Sequence, residues 1–435
     1  VYATIAAIAT GPGAGGIGIV RLSGPRALAA ARRVCALPGA VPARRALLVP
    51  FVVGGAPVDE GLVLRFAAPA SYTGEEVVEL HAHGGQRLLS LLLEGVLEED
   101  EVRLAEPGEF TRRALLSGRL DLARAEAVAD LIAAESRAQV EAAAAQLAGG
   151  LSARVEVASA AVLAALAEVE GILEFPEEAA GTEAGVPALL AAAGREVREL
   201  LADGARGALI RRGARVVLYG PVNAGKSTLF NRLVGAERAL VDEEPGTTRD
   251  ALEARLELGG LAVTLVDTAG LREGPGRLES LGIERTRAAL SGADLAVLVT
   301  PPDAGPASRA GWASEVESGR RLEVLGKADL PGGATQALRV SGLTGEGLPA
   351  LRAALAARLG AGVAGSAAVT SERHLACLRR ASEALRQAEE ALVVSTLEVV
   401  GAELQLAQVA LGELTGREVS IELLDAVFAR FCVGK

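Results

Sequence analysis

The sequence predicts a multidomain chain: an α+β N-terminal domain, an all-α helical domain discontinuous in sequence, and an α/β domain inserted into it. Three observations predict this. Short apolar runs broken by Gly-Pro, Gly-Gly and Pro-Gly pairs fill residues 1–116. Ala/Leu/Glu/Arg-rich stretches with helical spacing lie on both sides of a central segment. That segment alternates strand-like and helix-like runs, with a Gly-rich turn after its first strand. A length of 435 residues is too great for one core; about 100–200 residues per domain gives two to four domains.

In the N-terminal part, 17–21, 46–53, 62–66 and 77–81 read as strands. Residues 117–212 read as helical, with few breakers before Pro176. Strands and helices alternate over 213–360. The Gly/Ala/Ser stretch 360–367 reads as a linker, and helical spacing returns over 372–411. One helical domain is then built from 117–212 and 361–435, on either side of the insertion. Internal repeats are not seen.

Half of the residues are hydrophobic, so several cores can be filled. A membrane span is not expected, because no run of ~18 apolar residues is free of charge. The Ala-rich stretch 140–173 is interrupted by Glu141, Arg154, Glu156, Glu168 and Glu170. No basic start leads into an apolar signal segment. Cys35, Cys377 and Cys432 lie far apart without a CxxC, which points to a reducing, cytoplasmic location. A net charge of −11 argues against a broadly basic nucleic-acid binder. Among 44 basic residues only Lys226, Lys327 and Lys435 are lysine, and Asn occurs only at Asn223 and Asn231. A GC-rich coding background or a thermophilic preference against Asn both account for that bias. Either way, the positions that resisted it are those where the ammonium or the amide itself is needed.

Two of the three lysines and both asparagines fall in the central segment. The strand 215–219 runs into Gly220-Pro221-Val222-Asn223-Ala224-Gly225-Lys226-Ser227-Thr228 and then a helix, 229–234. This is G-x-x-x-x-G-K-S in the strand–helix context that a phosphate-binding loop requires. Glycines let backbone N–H groups curl around phosphate oxygens, and the helix start adds a favourable dipole. Lys226 is expected to reach the β- and γ-phosphates, and Ser227 to ligate Mg²⁺. Further on, Pro245-Gly246-Thr247-Thr248 supplies a switch segment in which Thr248 ligates Mg²⁺ while the γ-phosphate is present. The strand 263–266 ends at Asp267-Thr268-Ala269-Gly270. Asp267 is the carboxylate near Mg²⁺, and Gly270 lets backbone touch the γ-phosphate. The strand 322–325 ends at Gly326-Lys327-Ala328-Asp329. The Asp329 carboxylate accepts two hydrogen bonds from a guanine edge that adenine cannot donate, and the Lys327 stem covers the base. Ser341-Gly342-Leu343 is the last base-contacting loop. Four such segments in this order and spacing define a Ras-like P-loop GTPase domain. Gly326 stands where GTPases carry Asn, and Gly342 where Ala is usual.

Leu271 follows Gly270, where small Ras-type GTPases place the Gln that orients the attacking water. Glu279, just beyond, is the candidate replacement; on the residues alone a solvated loop carboxylate is the favoured reading. The amide oxygen of Asn223 is placed to ligate a monovalent cation, which would supply the charge that an arginine finger supplies elsewhere.

Over essentially its whole length the chain resembles the tRNA-modification GTPase family MnmE, also called TrmE. The specific motifs lie outside the GTPase segment. They are the Gly-rich run from Ala9 to Gly24, SYTGEEVVEL from Ser71 to Leu80, His83-Gly84-Gly85, Pro107-Gly108-Glu109-Phe110, LDLARAEA from Leu120 to Ala127, and Phe431-Cys432-Val433-Gly434-Lys435. The resemblance implies a folate-binding and dimerising N-terminal domain at 1–116, a helical domain at 117–212 and 361–435, and a GTPase domain at 213–360. It implies a potassium-dependent GTPase that works with the flavoprotein MnmG (GidA) in a heterotetramer. The pair would modify the 5-position of the wobble uridine of tRNA, using a one-carbon unit linked to formyl-tetrahydrofolate or a related tetrahydrofolate.

Carried over by position, the GTP contacts fall on Asn223, Ala224, Gly225, Lys226, Ser227, Thr228, Asp242, Glu243, Glu244, Pro245, Gly246, Thr247, Thr248, Asp267, Thr268, Ala269, Gly270, Lys327, Asp329 and Ser341. The K⁺ ligands fall on Asn223, Asp242, Glu244 and Thr247, and the catalytic carboxylate falls on Glu279. The folate contacts fall on Arg21, Glu79, Arg119 and Lys435, with Arg119 standing where Lys is frequent. Cys432 matches the family's functional C-terminal cysteine; a small buried hydrophobe is the other reading. Val222 replaces a proline and Gln405 an arginine. His81, His83 and His374 do not read as a zinc cluster.

Two other readings compete. A ribosome-assembly or RNA-binding GTPase switch would need a basic module such as a KH domain, whereas the C-terminal helices are acidic to mixed. An interaction module that binds nucleotide without hydrolysing it rests on Gly326 and Leu271 alone.

Overall fold

Residues 3–175, 185–236, 252–268, 286–331, 337–360, 369, 371–417 and 420–435 are described by the computed structural model. The chain divides into two units, one of 1–129 with 408–435 and one of 130–407.

In the first unit, β1 (Thr4–Ile8), β2 (Gly15–Ser23), β3 (Leu47–Val53), β4 (Ala56–Phe66), β5 (Val77–Gly84) and β6 (Val102–Leu104) form one sheet. Its order is β3-β4-β5-β2-β1-β6, and only the β1–β6 pair is parallel. Successive side chains of a strand face opposite ways, and the sequence sorts accordingly. Ala6, Val20, Leu22, Val78 and Leu80 pack under α1 (Ala27–Val34) and α2 (Gln86–Leu97). Ile5 and Ala7 face the other side and meet Phe110 of α3 (Glu109–Leu116). Arg21 lies opposite both Ala7 and Glu79 in the register, so its row belongs to this second face. Arg113 is buried on α3, where its guanidinium donates to Glu75 at 2.9 Å, Glu109 at 2.8 Å and the Ala3 carbonyl at 2.8 Å. A buried charge is tolerated only with such a set of partners.

The C-terminal segment closes this unit. The Ser420 hydroxyl accepts the Leu423 N–H at 3.2 Å and starts the helix Ile421–Phe428. Phe428 and Phe431 pack on Leu122 and Ala125. The chain then turns so that Cys432 O accepts from Gly108 N at 3.3 Å and Lys435 O from Phe110 N at 3.2 Å. The second of these donors is one that a helix start leaves without an intrahelical partner.

In the second unit the helical stretch is divided by local signals. α4 (Leu122–Ile132), which contains the boundary at residue 129, ends before Ser136. There a capping box starts α5 (Arg137–Leu147): the Ser136 hydroxyl accepts from Gln139 N, and Gln139 Oε1 accepts from Ser136 N at 2.9 Å. Gly149, at φ 94°, separates α5 from α6 (Gly150–Glu174). α7 (Val186–Arg212) packs against both α6 and the helix Glu372–Val394.

The inserted sheet comprises β7 (Ala214–Tyr219), β8 (Leu252–Leu258), β9 (Leu261–Asp267), β10 (Leu295–Thr300), β11 (Arg321–Leu325) and β12 (Leu338–Arg339). Its order is β12-β11-β10-β7-β9-β8, parallel except for β8–β9. Val216 and Leu218 face α8 (Lys226–Ala236) and the helix Leu348–Arg358, whereas Val217 and Tyr219 face Leu290 and Trp312. The chain builds outward from β7 on one side and returns with β10 on the other. That switch point, at the strands' carboxyl ends, is where α/β sheets bind ligands. No described helix is long and apolar enough to cross a membrane.

Candidate active site

The phosphate loop is set by backbone angles that its sequence permits. Gly220 leaves β7 at φ 136°, and a Cβ there would lie 2.2 Å from Val299 O. Asn223 and Gly225 follow at φ 59° and 93°. Asn is among the few side chains that tolerate the left-handed region, so backbone shape is a second reason for Asn to survive at 223. The loop then enters α8 at Lys226. Lys226 is 6% exposed, and its ammonium donates to Gly220 O at 3.0 Å and Pro221 O at 2.8 Å. The side chain therefore lies back along the loop it is expected to close.

Ser227 Oγ donates to Asp267 Oδ2 at 2.5 Å, and Asp267 is fully buried at the end of β9. A hydroxyl and a carboxylate brought this close are hard oxygen donors of the kind Mg²⁺ takes, so these residues fit that ion. Thr268 Oγ1 donates to Leu218 O at 2.9 Å and ties the end of β9 to β7.

The loops 326–329 and 341–345 are tied to each other. Gly326 N donates to Thr300 O at 2.8 Å, and Ala328 N to Val340 O at 3.0 Å. The buried Ser341 hydroxyl donates to Asp329 Oδ1 and holds that carboxyl below its ordinary value. Lys327 sits at φ 55°, a left-handed conformation that costs a side-chain-bearing residue roughly 1–2 kcal/mol. Strain of this kind persists where the surroundings impose it and clusters at functional sites. Phosphate loop, Lys327 and Thr268 line one cavity of about 600 Å³, a size in the range of small-ligand sites. Thr286 and Trp312 also line it. Sequence reasoning missed both, although Trp312 is the chain's single tryptophan. Asp242, Glu243, Glu244, Pro245, Gly246, Thr247, Thr248, Ala269, Gly270 and Glu279 lie outside the described residues.

A second group lies in the first unit. Arg21 Nε donates to Glu79 Oε1 at 2.9 Å across the β2–β5 pair, and Arg21 Nη1 donates to Gly434 O at 3.3 Å. The Arg21 guanidinium lies over the Phe110 ring, 5.8 Å from its centroid. His81 Nε2 lies 3.0 Å from Glu79 Oε2, a neighbour that the sequence reading did not pair with Glu79. Burial, and then repulsion from Arg21, push the Lys435 ammonium below its usual range. Arg21, Glu79 and Lys435 thus converge. Arg119 follows the far end of α3 from Phe110, with its N–H on Ala114 O at 2.8 Å. Among the described residues no hydrogen bond or ion pair joins it to the other three. Cys432 is exposed, unlike Cys35, whose thiol burial pushes up to about 12.

Two family models match the chain. One, described as the MnmE helical domain, spans residues 122–432, and one described as the GTP-binding protein TrmE N-terminus spans residues 4–119. The chain is similar throughout to curated relatives. A tRNA modification GTPase MnmE of Myxococcus xanthus is 58% identical over 436 residues, with 99% of each chain covered. Proteins of the same name from Symbiobacterium thermophilum (44% over 456 residues) and Parvibaculum lavamentivorans (42% over 448 residues) match 99% of this chain and 99% and 100% of their own.

Proposed function

The chain belongs to the tRNA modification GTPase MnmE family, and from that membership we propose that it is a potassium-dependent GTP hydrolase acting in wobble-uridine modification of tRNA. The observation that carries the nucleotide part is the loop 220–228. Its left-handed backbone, the folded-back Lys226 and the Ser227–Asp267 pair stand at the carboxyl ends of the parallel strands.

In this reading Lys226 turns from the Gly220 and Pro221 carbonyls to the β- and γ-phosphates. Main-chain N–H groups of 223–228 donate to the phosphate oxygens. Asp329, oriented by Ser341, reads the guanine edge, and Lys327 covers the base. Mg²⁺ held by Ser227 and Thr248, with Asp267 beside it, would neutralise charge on the β- and γ-phosphate oxygens. Asn223, with Asp242, Glu244 and Thr247, is the proposed K⁺ set. Glu279 orients the attacking water, so Glu279→Ala keeps GTP affinity and loses most turnover. Intact turnover in that variant would assign the water to another residue.

The convergence of Arg21, Glu79 and Lys435 supports a tetrahydrofolate site in the N-terminal domain. Guanidinium and ammonium suit the glutamate carboxylates of a folate, and the Glu79 carboxylate suits pterin N–H donors. Arg119 is included in this site by position in the family, and Cys432 is carried over separately as the family's functional C-terminal cysteine. The one-carbon unit, the homodimer, the MnmG partner and the cytoplasmic location are parts of the same proposal. So are domain limits of 1–116, 117–212 with 361–435, and 213–360. The test is GTP turnover by the purified chain as K⁺ replaces Na⁺ at constant ionic strength. Turnover that rises with K⁺ supports the proposal; equal turnover in the two salts removes the cation site.

A further inference from the structure

Two loops touch the phosphate loop and the start of α8 at places where a side chain is missing. A Cβ built on Gly326 would lie 2.5 Å from Ala224 O and 3.0 Å from Val299 Cγ1. A Cβ on Gly342 would lie 2.7 Å from Leu229 N and 2.8 Å from Thr228 C. Neither glycine has a positive φ, so conformational freedom is not what selects them; close approach is. What each Cβ would strike is largely backbone, which cannot move without moving the loop it belongs to. The two contacts flank the Ser341–Asp329 hydrogen bond that joins the loops. Both also bear on the stretch 224–229, where the phosphate loop ends and α8 begins.

We propose that Gly326 and Gly342 are positioning residues for guanine recognition: they seat the loops 326–329 and 341–345 backbone-to-backbone on the phosphate loop and the start of α8. Phosphate cradle and base pocket then form one rigid body, and the distance between the guanine edge and the β-phosphate is fixed by main chain rather than by a side-chain tether. The departure from Asn at 326 is in this light a substitute device and not a loss, and restoring the side chain harms binding. A Cβ at either position lifts the base loop and carries Asp329 away from the guanine, while the phosphate loop keeps its own shape.

The inference rests on the assignment of Asp329 to the base, and one experiment separates the two. Affinities for GTP, ITP and inorganic tripolyphosphate are measured by calorimetry with Mg²⁺ on the full chain, its Gly326→Ala, Gly326→Asn and Gly342→Ala variants, and a Gly319→Ala control. A Cβ at Gly319 meets nothing within 4 Å. ITP lacks the exocyclic amine that Asp329 would accept from. The unmodified chain is expected to prefer GTP to ITP. The variants at 326 and 342 are expected to lose about tenfold or more in GTP affinity, from the usual cost of overpacking. Their GTP/ITP ratio should fall toward one, tripolyphosphate affinity should hold, and the control should match the parent. Unchanged GTP affinity and ratio would overturn the inference, as would tighter GTP binding by Gly326→Asn. A loss of GTP and tripolyphosphate binding in step, tracking thermal stability, would also overturn it by reducing both glycines to fold packing. A parent chain that does not distinguish GTP from ITP would remove the base assignment itself, and the inference with it.

Discussion

Removing the ammonium of Lys226 gives a change in affinity whose size follows from its contacts. Nζ donates to Gly220 O at 3.0 Å and Pro221 O at 2.8 Å. In the proposed complex those bonds are exchanged for bonds to the β- and γ-phosphates. Two hydrogen bonds between charged partners are worth about 3–6 kcal/mol, and the carbonyl bonds given up offset roughly 1–2 kcal/mol of that. The net is about 1–5 kcal/mol, or roughly 5- to 4,000-fold in affinity at about 1.4 kcal/mol per decade. Lys226→Ala should therefore weaken both GDP and a non-hydrolysable GTP analogue by that factor in calorimetric titrations with Mg²⁺. Lys226→Arg should do little better, because a planar guanidinium cannot take the place of a compact ammonium curled along the loop. Thermal unfolding run in parallel separates lost affinity from lost fold. A Lys226→Ala protein that is folded and binds either nucleotide within about threefold of the parent would refute the phosphate role, since that is only ~0.65 kcal/mol.

Asp329→Asn should move preference from guanosine toward xanthosine nucleotides, read by competition binding; unchanged selectivity would take Asp329 out of the base site. Glu109 combines the cost of burial with hydrogen bonds from Arg103, the Glu106 N–H and Arg113, and the bonds win, holding its carboxyl below 4.5. A depressed carboxyl stabilises fully above its unfolded value and loses that contribution as pH falls through its folded value. Glu109→Gln should thus cost about 1.5–3 kcal/mol at pH ~7, and the gap to the parent in urea unfolding should shrink as pH falls below 4.5; a gap independent of pH would contradict the ion-pair account. Phe428 is 3% exposed, and its ring centroid lies 5.2 Å from that of Phe431. Phe428→Ala should cost about 3–5 kcal/mol locally and speed amide exchange over 420–435, and protection equal to the parent would show that the tail is held elsewhere.

What was legible in the sequence was contiguous. The phosphate loop is nine residues in a row, and its strand and helix follow from periodicity beside it. The helix begins at Lys226 rather than 229, because the loop's last residues already have helical geometry. β2 to β5 carry apolar runs that can be seen, although only 62–66 of β4 reads as strand because its first half is broken by polar residues. β1 is an Ala-rich five-residue run and β6 only three residues, so neither shows a period, and each exists because its neighbour supplies the pairing. The division of 117–212 was written locally, in the Ser136 capping box and in Gly149 at φ 94°, but an Ala-rich pattern on both sides hid it. The union of Arg21 with Glu79 depends on sheet register, and that with Gly434 on a contact 413 residues apart, which no local pattern encodes. The closeness of Gly326 to Ala224 belongs to the same class. The sequence marked Gly326 as a departure from the GTPase pattern, and the backbone it abuts is visible only in the packing.

The central claim is that main-chain amides of 220–228, one ammonium and a Ser227-bound magnesium hold a guanine triphosphate. A crystal structure of the full chain with a non-hydrolysable GTP analogue and Mg²⁺ tests it most directly. The account predicts β- and γ-phosphates within the loop and on Lys226 Nζ, the ion on Ser227 Oγ, and the guanine edge on Asp329. Analogue bound elsewhere on the chain, or a base turned away from Asp329, would contradict it.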